Sequence, residues 1–271
     1  MGLFCCPLCG KKLVKQQGTL RCLNRHSFDI AAEGYTHLLP ANRKHSAVPG
    51  DDKQMVAARR RFLEAGFYAP FANKLCELAS EAVADIAHPV LLDAGCGEGY
   101  YTAQMAAENP QMRTAGFDIS KFAVKAAAKK YPGIEFAVAS IFHIPAPAES
   151  VDCVVDIFAP AVPEEFARVL KKGGRWIYAV PGARHLYGMK EVLYAQPYEN
   201  EVKDTEYPGF RFEKRVSVQA EITLPDAESI EALFSMTPYY WNTPKEGAER
   251  LRALTTLKTE IAFDFLVYQR K

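Results

Sequence analysis

One segment constrains the fold of this chain more than any other: a short apolar run that ends in an acid and three alternating glycines, from Val90 to Gly99. The run has the length of a buried strand, and a helical pattern follows it. Glycines at such a junction let the chain turn sharply at the carboxyl end of a strand and bring backbone N–H groups against a ligand. The segment therefore predicts an α/β sheet with a ligand at its carboxyl edge. The candidate binding residues are Asp93, Gly95, Gly97, Glu98 and Gly99.

The residues after position 88 favour the same architecture. Short apolar runs alternate with helical segments, which is typical of a parallel sheet with right-handed crossovers. These runs lie near residues 90–93, 113–118, 134–138, 151–157 and 174–180. Two later segments, 215–224 and 260–269, alternate apolar and polar residues and are expected to form an antiparallel pair that completes the sheet.

Two helices are predicted before the first strand. One is capped by Asp52 or its neighbour and runs to about Ala65, and the other spans roughly Pro70 to Ile86 and covers the core. The first helix carries three consecutive arginines at positions 59–61. Because neighbouring helical residues point in different directions, at least one arginine is expected to face solvent or substrate while another packs or pairs.

Two more features indicate the class of ligand. A dinucleotide-binding loop shows the spacing GxGxxG, whereas the glycines here follow an acid as GxGxG, which resembles motif I of class I S-adenosylmethionine methyltransferases. Asp118 ends the second strand, where a carboxylate can accept hydrogen bonds from ribose hydroxyls of either cofactor type. The segment from Ala167 to Ile177 resembles the helix, glycine turn and fifth strand of these methyltransferases. We therefore expect S-adenosylmethionine as cofactor and a class I (Rossmann-like), doubly wound α/β fold.

The N-terminal residues carry a metal-ligand pattern, in which Cys6 and Cys9 are followed after twelve residues by Cys22 and then His26. Two thiolates two residues apart can share one ion on a tight turn, and the second pair completes a tetrahedral Cys3His site for Zn²⁺. A module this small has too little core to fold without such a staple. Four protein ligands predict a structural zinc ion. Cys5 is a rival for the first position, but the CPxCG knuckle favours Cys6.

Other residues of the ligating types are interpreted differently. His37 and His45 are expected to be surface or RNA-facing groups rather than zinc ligands. Cys76, Cys96 and Cys153 occur singly among apolar neighbours, so they are expected to be small core residues.

Charge is distributed unevenly along the chain. Residues 1–50 carry seven Lys or Arg and two acids, a net +5, whereas the rest carries 26 basic and 30 acidic residues, a net −4. A basic module on an acidic body favours contact with a phosphate backbone, although a solvated surface would show the same bias. The predicted division is a zinc-binding, RNA-recognition module over 1–50, a helical linker contributing to the cofactor pocket over 51–87, and a methyltransferase domain over 88–271. No apolar stretch approaches the roughly 20 residues of a membrane helix, so a cytoplasmic location is expected.

Short motifs spread along nearly the whole chain point to one family. They are Cys6-Pro-Leu-Cys9, Cys22 to His26, Glu33-Gly-Tyr35, Asn42 onward to Pro49-Gly-Asp51, Ala58-Arg-Arg60, Phe62-Leu63, Asp93 to Tyr101 and Pro181 to Leu186. Together they resemble the ribosomal RNA guanine-N1 methyltransferases called RlmA. The resemblance implies methyl transfer to ring N1 of a guanine in a hairpin of large-subunit (23S) ribosomal RNA, by a homodimer. It also implies cofactor contacts from Tyr68, Gly97, Glu98 and His185.

Some assignments have a second interpretation on the residues alone. Tyr68 can be a core aromatic at a helix end, and His185 a loop histidine with its hydrogen bonds satisfied. Asp156, at the end of the fourth strand, is the candidate acceptor of the guanine N1 proton, or a carboxylate satisfied by backbone donors. Phe158 is a candidate to stack on an unpaired or flipped base.

Two other functions are compatible with these patterns. One is a small-molecule methyltransferase of the same fold, and the other is a zinc-dependent RNA-binding protein whose methyltransferase domain is inactive. The charge division favours RNA over a small acceptor. The intact glycine loop, together with Asp93 and Asp118, argues against an inactive cofactor site.

Overall fold

The computed structural model describes residues 2–43, 50–203 and 205–271. Near the N-terminus, three short antiparallel strands form a small sheet in the order β1-β2-β3. They are β1 (Val14–Gln16), β2 (Thr19–Arg21) and β3 (Ser27–Asp29). Their side chains are mostly exposed, so this sheet has little core of its own. Residues 44–49 of the predicted module, which include His45, lie outside the described residues.

A second sheet, of eight strands within the described ranges, has the order β10-β11-β9-β8-β5-β6-β7-β4. Its strands are β4 (Thr36–His37), β5 (Val90–Ala94), β6 (Arg113–Asp118), β7 (Glu135–Val138), β8 (Val151–Ile157), β9 (Leu170–Pro181), β10 (Phe210–Leu224) and β11 (Leu257–Arg270). Strands β4 to β9 pair in parallel, while β11 is antiparallel to β9 and β10. The predicted doubly wound fold, its five strands and the antiparallel pair are thereby confirmed.

The strand order also locates the binding edge. From β5 the chain winds outward through β6 and β7, and it then returns to place β8 on the other side of β5. Ligands of open α/β sheets bind where the order reverses in this way, outside the carboxyl ends of the strands. In this sheet the reversal lies between β5 and β8, so Asp93 and Asp156, near the ends of these strands, face the same edge.

Strand β4 was not predicted. Thr36 and His37 pair in parallel with Ala137 and Val138, so this part of the predicted zinc module extends the central sheet. The half-buried His37 lies in that edge strand, apart from the cysteine cluster. A two-residue strand carries no periodicity of its own, so only tertiary pairing defines it.

The helices of the described ranges flank the sheet. They are α1 (Lys53–Glu64), α2 (Ala69–Ala82), α3 (Tyr100–Glu108), α4 (Lys121–Lys130), α5 (Pro163–Val169), α6 (Tyr187–Leu193), α7 (Ala227–Ser235), α8 (Tyr239–Asn242) and α9 (Lys245–Arg252). Asp52 caps α1 as predicted, because its side chain accepts from the amides of Gln54 and Met55. Helix α2 ends before the predicted Ile86, since the following residues continue as turns. No helix among the described residues is both long and apolar enough for a bilayer.

The N-terminal module is docked on the sheet. Leu3 and Phe4 belong to the same buried cluster as Phe117 and Trp176. The amide of Leu3 donates to the carboxylate of Glu135 at 2.7 Å. Burial of these apolar side chains stabilises the contact without requiring a metal. Cys76, Cys96 and Cys153 are buried, as predicted for small core residues.

Candidate functional site

The four predicted metal ligands converge. The ligand atoms of Cys6, Cys9, Cys22 and His26 all lie within 4.8 Å of one another. The sulfurs of Cys9 and Cys22 are 3.7 Å apart, and Nδ1 of His26 lies 3.4 Å from the sulfurs of Cys6 and Cys22. Tetrahedral Zn²⁺ with bonds of about 2.3 Å would place two sulfurs roughly 3.7 Å apart, so the donor set fits this ion. Cys5 stands outside the cluster, which agrees with the choice of Cys6.

The glycine loop has the backbone conformation that its sequence predicts. Gly95, Gly97 and Gly99 all have positive φ, at 88°, 54° and 82°. A β-carbon on Gly95 would also lie 2.8 Å from that of Ala159. The backbone amides behave differently from the prediction, because those of Gly95 and Cys96 donate to the carbonyl of Phe117 instead of remaining free for a ligand. The loop is thus closed onto β6, and its glycines act mainly by keeping the approach to the sheet edge open.

Asp118 supports this loop from the next strand. Its Oδ2 accepts from the amide of Gly97 at 3.0 Å, and its Oδ1 accepts from the amide of Ser120 at 2.7 Å. Burial raises the pKa of this carboxyl. Each oxygen keeps a further acceptor position, so the predicted contact with a ribose is chemically compatible with these bonds.

A cleft opens beside the loop, at the ends of β5 and β8. Five of the predicted cofactor residues line it, namely Tyr68, Asp93, Gly95, Gly97 and Glu98. The other three predicted cofactor residues, Gly99, Asp118 and His185, lie next to residues of this cleft. Gly99 caps α3, Asp118 bonds to Gly97, and the ring of His185 lies 6.2 Å from that of Tyr68.

Two buried carboxyl groups in the cleft wall have free acceptor atoms. Thr102 donates to Oδ2 of Asp93 at 2.6 Å, and Oδ1 of Asp93 has no hydrogen-bond partner among the described residues. Burial raises the pKa of Asp93 to about 7. Nε of Arg60 lies 3.6 Å from Oε2 of Glu98, which likewise lacks a hydrogen bond within the described chain. Burial raises the pKa of Glu98 as well. Both groups would be stabilised as anions by a cationic ligand.

Aromatic side chains cluster around Tyr68 and Phe158, two residues that line the cleft. Phe263 lies at their centre, with ring centroids 4.4 Å from His185, 5.0 Å from Tyr68 and 5.6 Å from Phe158. Tyr68 is buried, which raises its pKa. The amide of Ala262 donates to Nδ1 of His185, and burial lowers the pKa of this imidazole to about 3. His185 is therefore neutral, with its proton on Nε2.

Phe158 differs from its neighbours in exposure and backbone geometry. Its side chain is 44% exposed, and its φ of 56° lies in the left-handed region, which is unfavourable for an aromatic residue. Strained backbone of this kind clusters at functional sites because the surrounding structure enforces it. Here an aromatic face is held at the mouth of the cleft.

Asp156 lies beneath that turn. It is completely buried, and its Oδ1 accepts a hydrogen bond from the amide of Ala159. Burial raises the pKa of this carboxyl well above its usual range. An upward shift of the pKa disfavours the ionised form, which the carboxyl needs in order to take up the N1 proton of guanine. The surroundings therefore favour the alternative role, a strand-end carboxyl that holds a turn, and the assignment as proton acceptor stays a prediction.

The buried side chain of Lys190, which the sequence patterns did not indicate as part of the site, holds the loop that carries His185. Lys190 donates to the carbonyl of Tyr198 at 3.0 Å and to Oδ1 of Asn200 at 2.7 Å. The side chain of Asn200 in turn donates to the carbonyl of Gly182. Lysine is an ordinary helix-surface residue, so nothing in its local sequence indicated burial.

Two further residues of the cleft depend on long-range packing. Met236, after α7, lines the cleft because α7 packs against α1, where Arg61 pairs with Glu228 at 3.1 Å. Arg59 of α1 also lines it. The sequence indicated only that one of the three arginines faces away from the others.

Comparison with known proteins matches both parts of the chain. A family model described as "RlmA, N-terminal", a zinc ribbon, matches residues 4–47. A model described as "Methyltransferase domain" matches residues 91–174. These matches cover the cysteine pattern and the glycine loop.

Similarity to individual proteins extends over most of the chain. A 23S rRNA (guanine(748)-N(1))-methyltransferase of Streptomyces fradiae is 30% identical over 255 residues, covering 92% of this chain and 90% of that protein. A putative 23S rRNA (guanine-N(1)-)-methyltransferase of Micromonospora griseorubida is 35% identical over 205 residues, covering 69% and 68%. One from Bacillus subtilis, also putative, is 28% identical over 277 residues, covering 98% and 96%.

Proposed function

Because the chain belongs to the family of 23S rRNA (guanine-N1)-methyltransferases, we propose that it transfers a methyl group from S-adenosylmethionine to ring N1 of a guanine in a hairpin of 23S rRNA. The observation that carries this proposal is the exposed ring of Phe158, held by a backbone in the left-handed region, beside a cleft that contains the glycine loop. An aromatic face at that position suits an unstacked base, as single-stranded RNA recognition requires.

The cleft suits the cofactor chemically. Asp118 would hold the ribose, and the free oxygen of Asp93 would face a cationic group of the ligand, while Glu98 faces Arg60. His185 would contribute its Nε2–H, and Tyr68 would pack against the ligand as the family resemblance implies. When bound, S-adenosylmethionine supplies a methyl group on a sulfonium, an activated donor for direct displacement. The remaining task of the protein is to orient the acceptor and exclude water.

The base is oriented by Phe158 in this proposal. Stacking on the ring fixes the plane of the guanine, and the buried turn from Asp156 to Ala159 fixes the ring. The N1 proton must leave for methyl transfer to be complete. In this proposal Asp156 or an ordered water at the site accepts it.

The N-terminal module would bind the RNA backbone. Its exposed basic side chains are Lys11, Lys12, Lys15, Arg21 and Arg25. None of them forms an ion pair with a described acidic group, so they are available to phosphates. Zn²⁺ on the Cys3His centre would hold this surface in shape. Action on rRNA implies a cytoplasmic location, and the family resemblance implies a homodimer, which light scattering would test.

The decisive experiment is mass spectrometry of unmodified 23S rRNA after incubation with the zinc-loaded protein and S-adenosylmethionine. We expect one new 1-methylguanosine in a hairpin. A matched control is Asp118→Ala, which removes the ribose acceptor and should reduce incorporation strongly. No incorporation by a preparation that binds both zinc and cofactor would overturn the proposal. Methylation of a small acceptor, without salt-sensitive RNA binding, would establish the small-molecule alternative.

A further inference from the structure

Arg59 has a position that the predicted cofactor contacts do not explain. It lies on α1 and lines the cleft together with Asp93, Gly97 and Glu98. Among the described residues that line this cleft, Arg59 is the one with a positive charge. A cation maintained at a ligand cleft calls for an anionic group on the ligand.

The three consecutive arginines of α1 separate into three environments. Arg61 pairs with Glu228 at the surface, and Arg60 lies against the buried Glu98. Arg59 donates from Nη2 to Oδ2 of Asp51 at 2.7 Å, and this carboxylate is partly exposed. The three side chains therefore have different partners and different surroundings, although they are adjacent in sequence.

The donors of Arg59 are incompletely used. A guanidinium has five N–H groups in a planar fork, and Asp51 engages the terminal Nη2. Nε of Arg59 is buried and has no hydrogen-bond partner among the residues described. An unpaired buried donor is costly, so such a group is usually completed by a ligand or water.

The charges around the cleft match a zwitterion. Asp93 offers a free buried oxygen to a cationic group, whereas Glu98 is already paired with Arg60. Arg59 offers a free buried donor to an anionic group. An amino-acid group carries both charges, as an ammonium and a carboxylate attached to the same carbon. The bound sugar and base of the cofactor present no such pair.

Resting on the function proposed above, we propose that Arg59 binds the α-carboxylate of the methionyl part of S-adenosylmethionine, through the nitrogen atoms that Asp51 does not occupy. Asp51 holds the other side of the guanidinium and orients it. Arg59 is thereby a cofactor-binding residue that discriminates the intact amino-acid end of the cofactor from analogues that lack the carboxylate.

The test is a binding cycle with the full zinc-loaded chain and no RNA. Isothermal titration would compare S-adenosylmethionine with decarboxylated S-adenosylmethionine, for the wild type and for Arg59→Met. The wild type should bind the decarboxylated ligand about 10- to 100-fold more weakly, the effect expected of charge-assisted hydrogen bonds. Arg59→Met should lose that preference and bind both ligands about equally.

Two controls make the result specific. Arg61→Met removes a neighbouring arginine whose partner is on the surface, and it should keep the full preference. Arg59→Lys keeps the charge without the planar fork and should retain part of it. Unchanged zinc content and thermal unfolding would show that each variant is folded.

The outcomes separate this inference from the proposed function. A full carboxylate preference in Arg59→Met would overturn the inference, and so would an equal loss of affinity for both ligands, because Arg59 would then only shape the cleft. If the cycle behaves as expected but 23S rRNA is not methylated, the proposed substrate is wrong and the assignment of Arg59 stands. If the wild type binds neither ligand, both fail.

Discussion

Oδ1 of Asp156 accepts a hydrogen bond of 3.2 Å from the backbone amide of Ala159, across the turn that keeps Phe158 in a left-handed conformation. The acceptor is buried and the ring is exposed, so one buried contact supports the surface on which a base is proposed to stack. Asp156, the predicted proton acceptor, therefore has a structural role, which is to hold the turn that carries Phe158.

Asp156→Asn should leave turnover close to normal at saturating cofactor. Burial raises the pKa of the carboxyl and so disfavours the ionised form that a base needs, and an amide oxygen can accept the same hydrogen bond. Asp156→Ala, which removes the acceptor, should lower both stability and turnover. Single-turnover kinetics would measure the effect. A loss of 100-fold or more in the Asn variant, with its fold intact, is the scale of general-base catalysis and would support Asp156 as proton acceptor.

Replacement of Phe158 should separate RNA chemistry from stability. Phe158→Ala and Phe158→Gly both remove the stacking ring, so each should lower turnover on RNA by about 10- to 100-fold, the range of base–aromatic stacking. Phe158→Gly should be more stable than Phe158→Ala by roughly 1 kcal/mol, because glycine tolerates a φ of 56°. Phe158→Tyr is the active control. Equal activity of the Ala variant and the wild type would remove the stacking role.

The stability of the cofactor-free protein should depend on Asp93 and pH. Its folded-state pKa of about 7 exceeds the ordinary value of 3.8, so between these values the folded state binds a proton that the unfolded chain lacks. The contribution of Asp93 to the free energy of unfolding is then largest below pH 3.8, falls as the pH rises toward 7, and changes little above pH 7.

Asp93→Asn tests this dependence, since its amide oxygen can still accept from Thr102. The free energy of unfolding of the variant should lack this dependence on pH. In the wild type the dependence amounts to about 1–2 kcal/mol between pH 5.5 and 7. Urea unfolding at fixed zinc concentration would measure it. Parallel curves for the wild type and Asp93→Asn would show that Asp93 is already ionised in the folded protein.

Zinc removal should affect RNA binding more than cofactor binding. The ligands Cys9 and Cys22 hold an exposed sheet with little core, whereas Leu3 and Phe4 pack into the body of the protein. Chelation, or Cys9→Ser, should therefore disorder the turns that carry the zinc ligands and weaken the salt-sensitive affinity for RNA. The affinity for S-adenosylmethionine should change less than about threefold. A Cys153→Ser variant controls for loss of an unrelated thiol. Parallel loss of both affinities would contradict separate roles.

Much of the fold and part of the site followed from local sequence patterns. The strands from Val90 to Pro181, the positive φ values at Gly95, Gly97 and Gly99, and the convergence of the metal ligands each depend on residue types and spacings that act over a few positions. Apolar periodicity, the conformational freedom of glycine and the reach of thiolates on a tight turn are local properties, so they can be predicted without knowing which distant segments meet.

The tertiary structure decided the remaining features. It placed Arg59, rather than Arg60 or Arg61, in the cleft, and it brought Met236 from between β10 and β11 to the same wall. It also buried Asp156 completely, which raises the pKa of its carboxyl. The direction of a side chain and its removal from water depend on helices and strands that come from distant parts of the chain. A charged group therefore acquires its ion-pair partner or its pKa shift only when those elements pack around it.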